Sequence, residues 1–251
     1  MLECINLSTE YGGIPVFSLV NFKIAPGQLT AVLGKNGAGK STLLKCLQQQ
    51  QPYDGNIYLD GINIRHLTPI QRARRIAFLP QVLPCPDVTV YELTSFGRNP
   101  YLGINRKLAH TDLNAIDEAL HLTGMSDYRN RILSSLSGGE RQRAFWAMVL
   151  AQSTEILVLD EPTTYMDMIA EAEFLNILRE LTAQGKTIIV ILHNLSLAVK
   201  FSDQIIILDD NRCFFSGATI DCLAQRKIEA AFGVRRITAG DSFNPEVIFT
   251  A

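Results

Sequence analysis

The stretch "LTAVLGKNGAGKS", from Leu29 to Ser41, places a glycine-rich loop directly after a run of apolar residues. The residues that follow it, "STLLKCLQQQ", favour a helix. A strand, a glycine-rich loop and a helix in this order bring backbone N–H groups together at the start of the helix, and such groups bind anions. Gly34 to Ser41 also fits the spacing G-x-x-x-x-G-K-S/T, which in this setting is typical of a loop that binds nucleotide phosphates.

Each part of this loop has a function in the predicted phosphate site. Glycine lets the backbone turn sharply and approach a phosphate closely, the ammonium group of Lys40 can reach the β- and γ-phosphates, and the hydroxyl group of Ser41 can bind Mg²⁺. The predicted nucleotide-binding residues are Gly34, Lys35, Asn36, Gly37, Ala38, Gly39, Lys40, Ser41 and Thr42. The competing interpretation is a glycine-rich turn between a strand and a helix that binds nothing.

Apolar runs alternate with helical segments along the chain, which indicates an α/β protein with a parallel sheet covered by helices on both faces. With no repeat and no low-complexity linker, one compact unit is expected. The predicted strands are Val16–Ile24, Leu29–Gly34, Gly55–Gly61, Arg75–Gln81, Glu155–Asp160, Thr187–Leu192 and Gln204–Leu208; the predicted helices lie within Thr111–Gln152, Met168–Gln184 and Leu195–Phe201.

The composition argues against several classes of protein. The formal net charge of -2, from 23 Lys and Arg against 25 Asp and Glu, creates no basic field, so no nucleic-acid partner is predicted. Every uninterrupted apolar run is far shorter than the roughly 20 residues of a membrane-spanning helix, and the first residues lack the pattern of a secretory signal. The five cysteines are scattered and form no C-x-x-C pair, which predicts reduced, mostly packed thiols and no metal site.

Polar residues follow two of the buried strands. Asp160 and Glu161 come directly after "EILVL", at the strand end where ligands collect in parallel sheets. We expect Asp160 to hold Mg²⁺ and Glu161 to act as the general base that orients the attacking water. The competing interpretation is an acidic loop that caps the next helix. His193 follows "TIIVIL" in the same way and can donate to a γ-phosphate oxygen, although a lone histidine here is also compatible with a structural role.

A second pair of glycines opens the helix-forming stretch "SSLSGGERQRAFWAMVLAQ". Ser137 and Glu140 have the spacing of a capping box, which accounts for both of them. The capping box does not account for Gly138 and Gly139, since each glycine costs about 0.5–1 kcal/mol relative to alanine in a helix. Bare backbone at a helix N-terminus suits an anion, so the chain carries two phosphate-type sites and only one P-loop.

The order "GKNGAGKS", "LPQ", "LSGGERQR", "LVLDEP", "TTYMD" and "ILH" resembles the nucleotide-binding subunits of ATP-binding cassette (ABC) transporters over nearly the whole chain. The resemblance implies an α/β fold with a P-loop NTPase core and a mostly parallel sheet, an antiparallel β subdomain and an inserted helical subdomain. It further implies a single domain over residues 1–251, with the helical subdomain at about 84–152 and a C-terminal appendage at about 217–251.

The resemblance also implies roles for individual residues and two ligands, ATP and Mg²⁺. In this family "LSGGE", here Leu136 to Glu140, is the signature motif, and Gly34 to Ser41 matches the P-loop. The signature motif faces the γ-phosphate on the P-loop of a second copy, so a head-to-tail homodimer with two shared ATP sites is expected. The implied roles are nucleotide contact for Tyr11, Ser137, Gly138, Gly139 and Asp167, metal contact for Ser41, Gln81 and Asp160, and catalysis for Glu161, His193 and Lys40. Tyr11 would stack on adenine, although it also fits a half-buried strand tyrosine.

Three residues depart from the common family pattern. Lys35 stands where proline is frequent, Met166 where leucine is usual, and Asn194 where aspartate usually follows the histidine. None of these departures removes a group needed for hydrolysis, but Asn194 leaves the orientation of His193 open.

The segment "PDVTVYELTSFGRNPYLG", Pro86 to Gly103, resembles importers of iron-siderophore complexes, haem and cobalamin. The competing interpretation is a solvated loop followed by a generic helix. Ferric siderophores are ranked first as cargo, with haem, cobalamin or molybdate and metal import as alternatives. The resemblance implies a membrane permease dimer contacted through Gln81 and residues of about 82–103, a substrate-binding protein as an indirect partner, and a peripheral place on the cytoplasmic face of the inner membrane.

Two other classes of function stay open. One is a soluble ATP-driven machine of the same superfamily, acting in translation, DNA repair or cluster assembly; the single cassette and the lack of a long coiled-coil insertion disfavour the first two. The other is a nucleotide-gated regulatory module without turnover, which the presence of Asp160, Glu161 and His193 disfavours.

Overall fold

The computed structural model describes residues 1–103, 105, 107–164, 166–239 and 246–250. Its strands are β1 (Leu2–Tyr11), β2 (Ile14–Ile24), β3 (Leu29–Gly34), β4 (Asp54–Leu59), β5 (Ile62–Asn63), β6 (Ile76–Leu79), β7 (Ile156–Leu159), β8 (Thr187–Ile191), β9 (Gln204–Asp209), β10 (Arg212–Ala218), β11 (Arg235–Ala239) and β12 (Glu246–Thr250). Its helices are α1 (Lys40–Leu47), α2 (Pro69–Ala73), α3 (Val90–Phe96), α4 (His110–Leu122), α5 (Gly138–Ala151), α6 (Met168–Ala183), α7 (Leu195–Phe201), α8 (Thr219–Ala224) and α9 (Lys227–Phe232).

Strand β1 is the largest element that the sequence pattern does not predict. Leu2 and Cys4 are buried in alternation, but the next buried apolar residue is Leu7. Between them the register shifts and Asn6 adopts a φ of 50°. A bulge of this kind breaks the two-residue period by which a half-buried strand is recognised. By contrast, β3 and α7 have the predicted bounds.

The chain forms two compact units, residues Met1–His66 with Glu171–Ala251 (unit 1) and residues Leu67–Ala170 (unit 2). In unit 1, the strand order β10-β9-β3-β8 makes a sheet in which β3 lies parallel to both β8 and β9. The strands β3 and β8 are buried nearly throughout, as a sheet with two covered faces requires. A second, antiparallel sheet in unit 1 has the order β2-β1-β4-β5.

In unit 2, β6 and β7 pair in parallel, with Ile76 opposite Ile156 and Leu79 opposite Leu159. The helices α3 and α4 pack against α5. The predicted helical subdomain at about 84–152 corresponds to the stretch that contains these three helices, and its boundaries stay a prediction. No helix among the described residues is long and apolar enough to cross a membrane.

The end of the chain forms a hairpin in unit 1. Strands β11 and β12 pair antiparallel and β12 packs against α7, where the Phe249 N–H donates to Ser196 Oγ at 3.3 Å. The Arg236 guanidinium donates to the Leu223 carbonyl at 2.9 Å. The predicted appendage at about 217–251 includes residues 240–245 and Ala251, which lie outside the described residues.

Arg98 joins three helices of unit 2 through a buried ion pair. Its guanidinium lies 2.9 Å from Asp112 Oδ1 near the start of α4 and donates to the Ala151 carbonyl at the end of α5 at 2.7 Å. Burial raises the pKa of Asp112, but the Ala109 N–H and the Arg98 guanidinium outweigh it and hold the pKa below its ordinary value. A lowered carboxyl pKa stabilises the fold above an ordinary pKa of about 4, and this contribution is lost as the pH falls below that value.

The substitution Arg98→Ala should lower the free energy of unfolding by about 3–5 kcal/mol, because it leaves the Asp112 charge buried without its partner. Urea unfolding monitored by circular dichroism measures this change. The matched control is Arg129→Ala, which breaks the exposed ion pair with Asp117 and should cost less than about 1 kcal/mol. Equal losses in the two variants would show that the buried pair does not stabilise unit 2.

Candidate functional site

The loop from Gly34 to Lys40 connects the end of β3 to the start of α1 in unit 1. Gly37 and Gly39 have φ values of 82° and 91°, in the left-handed region that favours glycine. A Cβ atom at position 39 would lie 2.8 Å from the Val16 side chain, and one at position 34 would lie 2.6 Å from the Leu208 carbonyl oxygen. Glycine is therefore required at these positions by backbone conformation and by close packing, whether or not a ligand is bound.

The same loop has the features of an anion site. Gly39 is the N-cap of helix α1 and provides no side-chain hydrogen bond. The N–H groups in the first turn of a helix point outward at its positive end. Lys40 is buried, and its ammonium group donates to the carbonyl oxygens of Gly34 and Lys35 at 2.8 and 3.1 Å. A cation held against the loop and a cluster of N–H donors fit a chain of phosphates.

His193 leaves the sheet at the same edge as this loop. Val32 of β3 pairs with Ile191 of β8 in parallel register, so Gly34 and His193 each lie two residues beyond that pair. His193 is exposed, and the Asn194 side chain caps α7 by accepting from the Leu197 N–H at 3.1 Å. Asn194 thus acts as a helix cap, as aspartate can, so this departure from the family pattern keeps the local fold.

Tyr11 ends β1 and is followed by a two-glycine turn into β2. Its side chain is 48% exposed, and it pairs with Ile14 across the hairpin. A half-exposed ring at a hairpin end is open to stacking with a flat ligand, and the adenine contact of Tyr11 stays a prediction.

In unit 2, the parallel pair β6 and β7 places Gln81 beside Glu161. Each residue lies two positions beyond the paired residues Leu79 and Leu159, and Gln81 Nε2 donates to Glu161 Oε2 at 2.7 Å. The Asp160 N–H donates to the Leu79 carbonyl at 2.9 Å, which extends the pairing by one step. The structure therefore brings Gln81 and Glu161 into direct contact, a contact that was not predicted from the sequence.

The turn that carries Glu161 is fixed by further polar contacts. Glu161 has a φ of 50°, unusual for a residue other than glycine, and its carbonyl accepts from the Thr164 hydroxyl at 3.0 Å. The carbonyl of Pro162 accepts from the side-chain amide of Gln142 in α5. A backbone conformation that costs on the order of 1–3 kcal/mol persists only where its surroundings hold it, and such positions cluster at functional sites.

Gln142 is not among the residues predicted from the sequence. It lies three and four positions before the buried Phe145 and Trp146, so helical spacing puts it on the buried face of α5. A polar side chain on an apolar helix face indicates a buried partner, and that signal was available in the sequence.

The second glycine pair begins α5. Ser137 Oγ accepts from the Glu140 N–H at 3.3 Å, and Glu140 Oε2 accepts from the Ser137 N–H at 2.7 Å, which confirms the capping box. The hydrogen bonds from the Ser137 side chain and backbone lower the pKa of Glu140. Gly138 is exposed at the helix end, so its Cα faces solvent at the positive end of the helix dipole.

The oxygen donors predicted for Mg²⁺ are Ser41 in unit 1 and Gln81 and Asp160 in unit 2. Among the described residues, no group of three or more His, Cys, Asp or Glu side chains can hold a metal ion by itself. Hydroxyl, amide and carboxylate oxygens suit Mg²⁺, which commonly takes one or two protein ligands and completes its shell with phosphate oxygens and water. Each of these donor types is therefore compatible with a metal that arrives with a nucleotide.

Asp167 lies just before α6, and one of its carboxylate oxygens accepts from the Ala170 N–H at 2.8 Å. This contact caps the start of α6 and leaves the side chain exposed. The motif "TTYMD" includes Tyr165, which lies outside the described residues.

Residues 17–164 match the sequence profile of the family described as "ABC transporter". The chain belongs to the ABC transporter family. The expected ABC ATPase fold, with its α/β core, antiparallel sheet and helices, is thereby confirmed.

Two curated relatives and one solved structure illustrate the similarity of this ABC subunit to known proteins. It is 38% identical over 234 residues to the petrobactin import ATP-binding protein FpuD of Bacillus anthracis, covering 92% of this chain and 86% of the relative. It is 37% identical over 238 residues to the ferric enterobactin transport ATP-binding protein FepC of Escherichia coli strain K12, covering 94% and 88%. The dimeric post-hydrolysis structure of the ATP-binding cassette MJ0796 with ADP and phosphate superposes with a TM-score of 0.78 at 25% identity, covering 87% of this chain and 99% of that one.

The substitution Lys40→Met should weaken ATP binding by about 10- to 100-fold, because a charge-assisted hydrogen bond contributes about 1.5–3 kcal/mol. Methionine keeps the apolar stem of the buried side chain and removes only the ammonium group. Isothermal titration with ATP measures the affinity. The control Lys45→Met lies on the exposed face of the same helix and should bind as the wild type does; unchanged affinity in Lys40→Met would contradict phosphate contact by Lys40.

Proposed function

We propose that this ABC subunit binds and hydrolyses ATP to power the uptake of a ferric siderophore or a related iron chelate. The observation that carries the ATPase part is the contact between Gln81 and Glu161 at the end of two parallel strands, in a chain that also holds a P-loop. It places a carboxylate, fixed by a neighbouring amide, where such sheets bind ligands.

The proposed chemistry is hydrolysis of the γ-phosphate by water. The N–H groups of the P-loop and the Lys40 ammonium bind the phosphate oxygens, and the Glu161 carboxylate orients the attacking water and accepts its proton. His193 donates a hydrogen bond to a γ-phosphate oxygen. When bound through Ser41, Gln81 and Asp160, Mg²⁺ would neutralise charge that develops on the phosphates.

We further propose that two copies assemble head to tail around two ATP molecules. The exposed Gly138 and its helix N-terminus in one copy would contact the γ-phosphate bound by the P-loop of the other copy. Asp167 would contact the partner copy beside this site. The MJ0796 cassette in the superposed structure is a dimer bound to ADP and phosphate, which supports this assembly.

The proposed permease contact consists of Gln81 and residues of about 82–103. Val82 is 80% exposed and Phe96 is 44% exposed, so this surface presents large apolar side chains to solvent. Exposed apolar residues in the segment that follows Gln81 fit a protein partner. A permease dimer would place the subunit at the cytoplasmic face of the inner membrane, with a substrate-binding protein as an indirect partner.

The cargo proposal rests on the relatives. One is an import subunit for petrobactin and the other a transport subunit for ferric enterobactin, and each match covers more than nine-tenths of this chain. The geometry of the candidate site carries no information about cargo, so this step rests on the relatives alone.

Co-expression with candidate permeases tests the proposal. We expect the subunit to co-purify with its permease from membranes and to support ATP-dependent uptake of an iron chelate in reconstituted vesicles. Uptake of haem, cobalamin or molybdate in place of iron chelates would contradict the cargo. ATPase activity with no membrane partner under any co-expression would instead favour a soluble machine.

A further inference from the structure

Gln142 makes a buried contact with the residue that follows Glu161. Its side chain is 4% exposed, and its Nε2 atom donates to the Pro162 carbonyl oxygen. Its Oε1 atom is buried and has no hydrogen-bond partner among the described residues. If the amide were turned around, two oxygens would face each other, so the contact with Pro162 fixes the orientation of this side chain.

An amide kept half unsatisfied is costly, since a buried acceptor without a partner costs about 1–3 kcal/mol. An apolar residue at this position would avoid that cost, as the buried Phe145 does on the same face of α5. The structure thus retains a glutamine whose side-chain amide donates to the backbone beside Glu161.

The position of the Pro162 carbonyl bears directly on Glu161. Proline fixes its own φ near -65°, so one of the torsions that would absorb a displacement between the two residues is locked. Glu161 itself has a left-handed φ of 50°, and its side chain is held by Gln81. A shift of the Pro162 carbonyl therefore re-aims the Glu161 carboxylate.

Gln142 also lies one helical turn from the signature glycines. Gly138 and Gln142 are four positions apart on α5, about 6 Å along the helix axis and on the same side of it. A helix is stiff over one turn, so a displacement of its first turn by a phosphate moves Gln142 with it.

We propose that Gln142 is a positioning residue that links the aim of the Glu161 carboxylate to contact between the start of α5 and a nucleotide. This inference rests on the proposed function, in which that nucleotide belongs to a second copy of the chain. Through the path Gly138, Gln142, Pro162, Glu161, dimer closure would switch on hydrolysis inside each copy.

The substitution Gln142→Met tests the proposal, because methionine has a similar length, fills the buried site and cannot donate. We expect kcat for ATP hydrolysis to fall about 10- to 100-fold, as misplacement of a catalytic group by about 1 Å does, with KM for ATP within twofold of wild type. In the Glu161→Gln background, ATP-driven dimerisation should keep its wild-type strength. A purely structural defect would weaken dimerisation and turnover together.

The matched control is Gln152→Met at the other end of α5, where the Gln152 amide donates to the Ala73 and Ile76 carbonyls. It should lower stability and leave kcat of the folded protein unchanged. If Gln142→Met does not fold, Gln142→Asn keeps an amide on a side chain that is too short to reach Pro162. It should show the same fall in kcat, with KM and dimerisation unchanged.

A kcat within twofold of wild type in the Gln142 variant, or an equal loss in Gln152→Met, would overturn the inference. So would a loss of dimerisation that matches the loss of turnover. Failure of the proposed function has a different signature, because the wild-type subunit itself would then not hydrolyse ATP.

Discussion

The variant Glu161→Gln should bind ATP, dimerise and hydrolyse it about 10²- to 10⁴-fold more slowly than the wild type, the range expected when a general base is removed. Glutamine has the shape of glutamate, and its side-chain oxygen can still accept the hydrogen bond from Gln81 that the carboxylate accepts at 2.7 Å. Glutamine can adopt the φ of 50° found at position 161 as readily as glutamate can. The change therefore removes the base and keeps the geometry.

Phosphate release measures the turnover of Glu161→Gln, and sedimentation with and without ATP measures its dimer. The control Glu155→Gln changes an exposed carboxylate just before β7, 3.9 Å from Arg75, and should keep wild-type turnover. Hydrolysis by Glu161→Gln at more than a tenth of the wild-type rate would remove Glu161 from the role of general base.

The variant Gly138→Asp should abolish ATP-driven dimerisation without destabilising the subunit. An acidic side chain in the first turn of α5 favours the helix by about 0.3–1 kcal/mol through the dipole, and loss of glycine reduces the entropy of the unfolded chain. The same side chain would place bulk and negative charge against a γ-phosphate. Gly138→Asp should thus lose ATP-driven dimerisation while the stability of the subunit is unchanged or higher.

Thermal unfolding measures the stability of Gly138→Asp. Sedimentation in the Glu161→Gln background measures its ATP-driven dimerisation. The control is Gly103→Asp. A Cβ atom at position 103 would have no neighbouring atom within 4 Å, and the φ of Gly103 is not in the left-handed region. This variant should dimerise as the wild type does. Wild-type dimerisation of Gly138→Asp would refute a phosphate contact at the start of α5. Loss of ATP binding would show that Gly138 acts within its own chain.

The features that could be predicted from the sequence share a local cause. Gly34 to Ser41, Asp160, Glu161 and His193 each follow a short apolar run that is typical of a buried strand, so their place at a strand end follows from the run. The capping box of Ser137 and Glu140 is likewise complete within four residues.

The features that could not be predicted depend on contacts distant in sequence. The contact between Gln81 and Glu161 joins residues 80 positions apart through the parallel pairing of β6 and β7. The left-handed conformation of Glu161 has no residue-type signal, since glutamate shows no preference for it. The contact of Gln142 with Pro162 requires that α5 pack beside the turn, which no local pattern encodes.

Mixing two defective variants tests the head-to-tail assembly most directly. One chain carries Lys40→Met and the other Gly138→Asp, both in the Glu161→Gln background, so that each chain alone lacks one half of every shared site. In a mixed dimer one of the two sites then combines an intact P-loop with an intact signature helix.

We predict that sedimentation with ATP shows a dimer in the mixture and monomers in each variant alone. Because one intact site supplies only part of the association free energy, the mixed dimer should form at higher protein concentration than the dimer of Glu161→Gln itself. A mixture that stays monomeric at about 100 times the concentration at which Glu161→Gln dimerises would contradict the assembly, since that factor corresponds to about 2.7 kcal/mol.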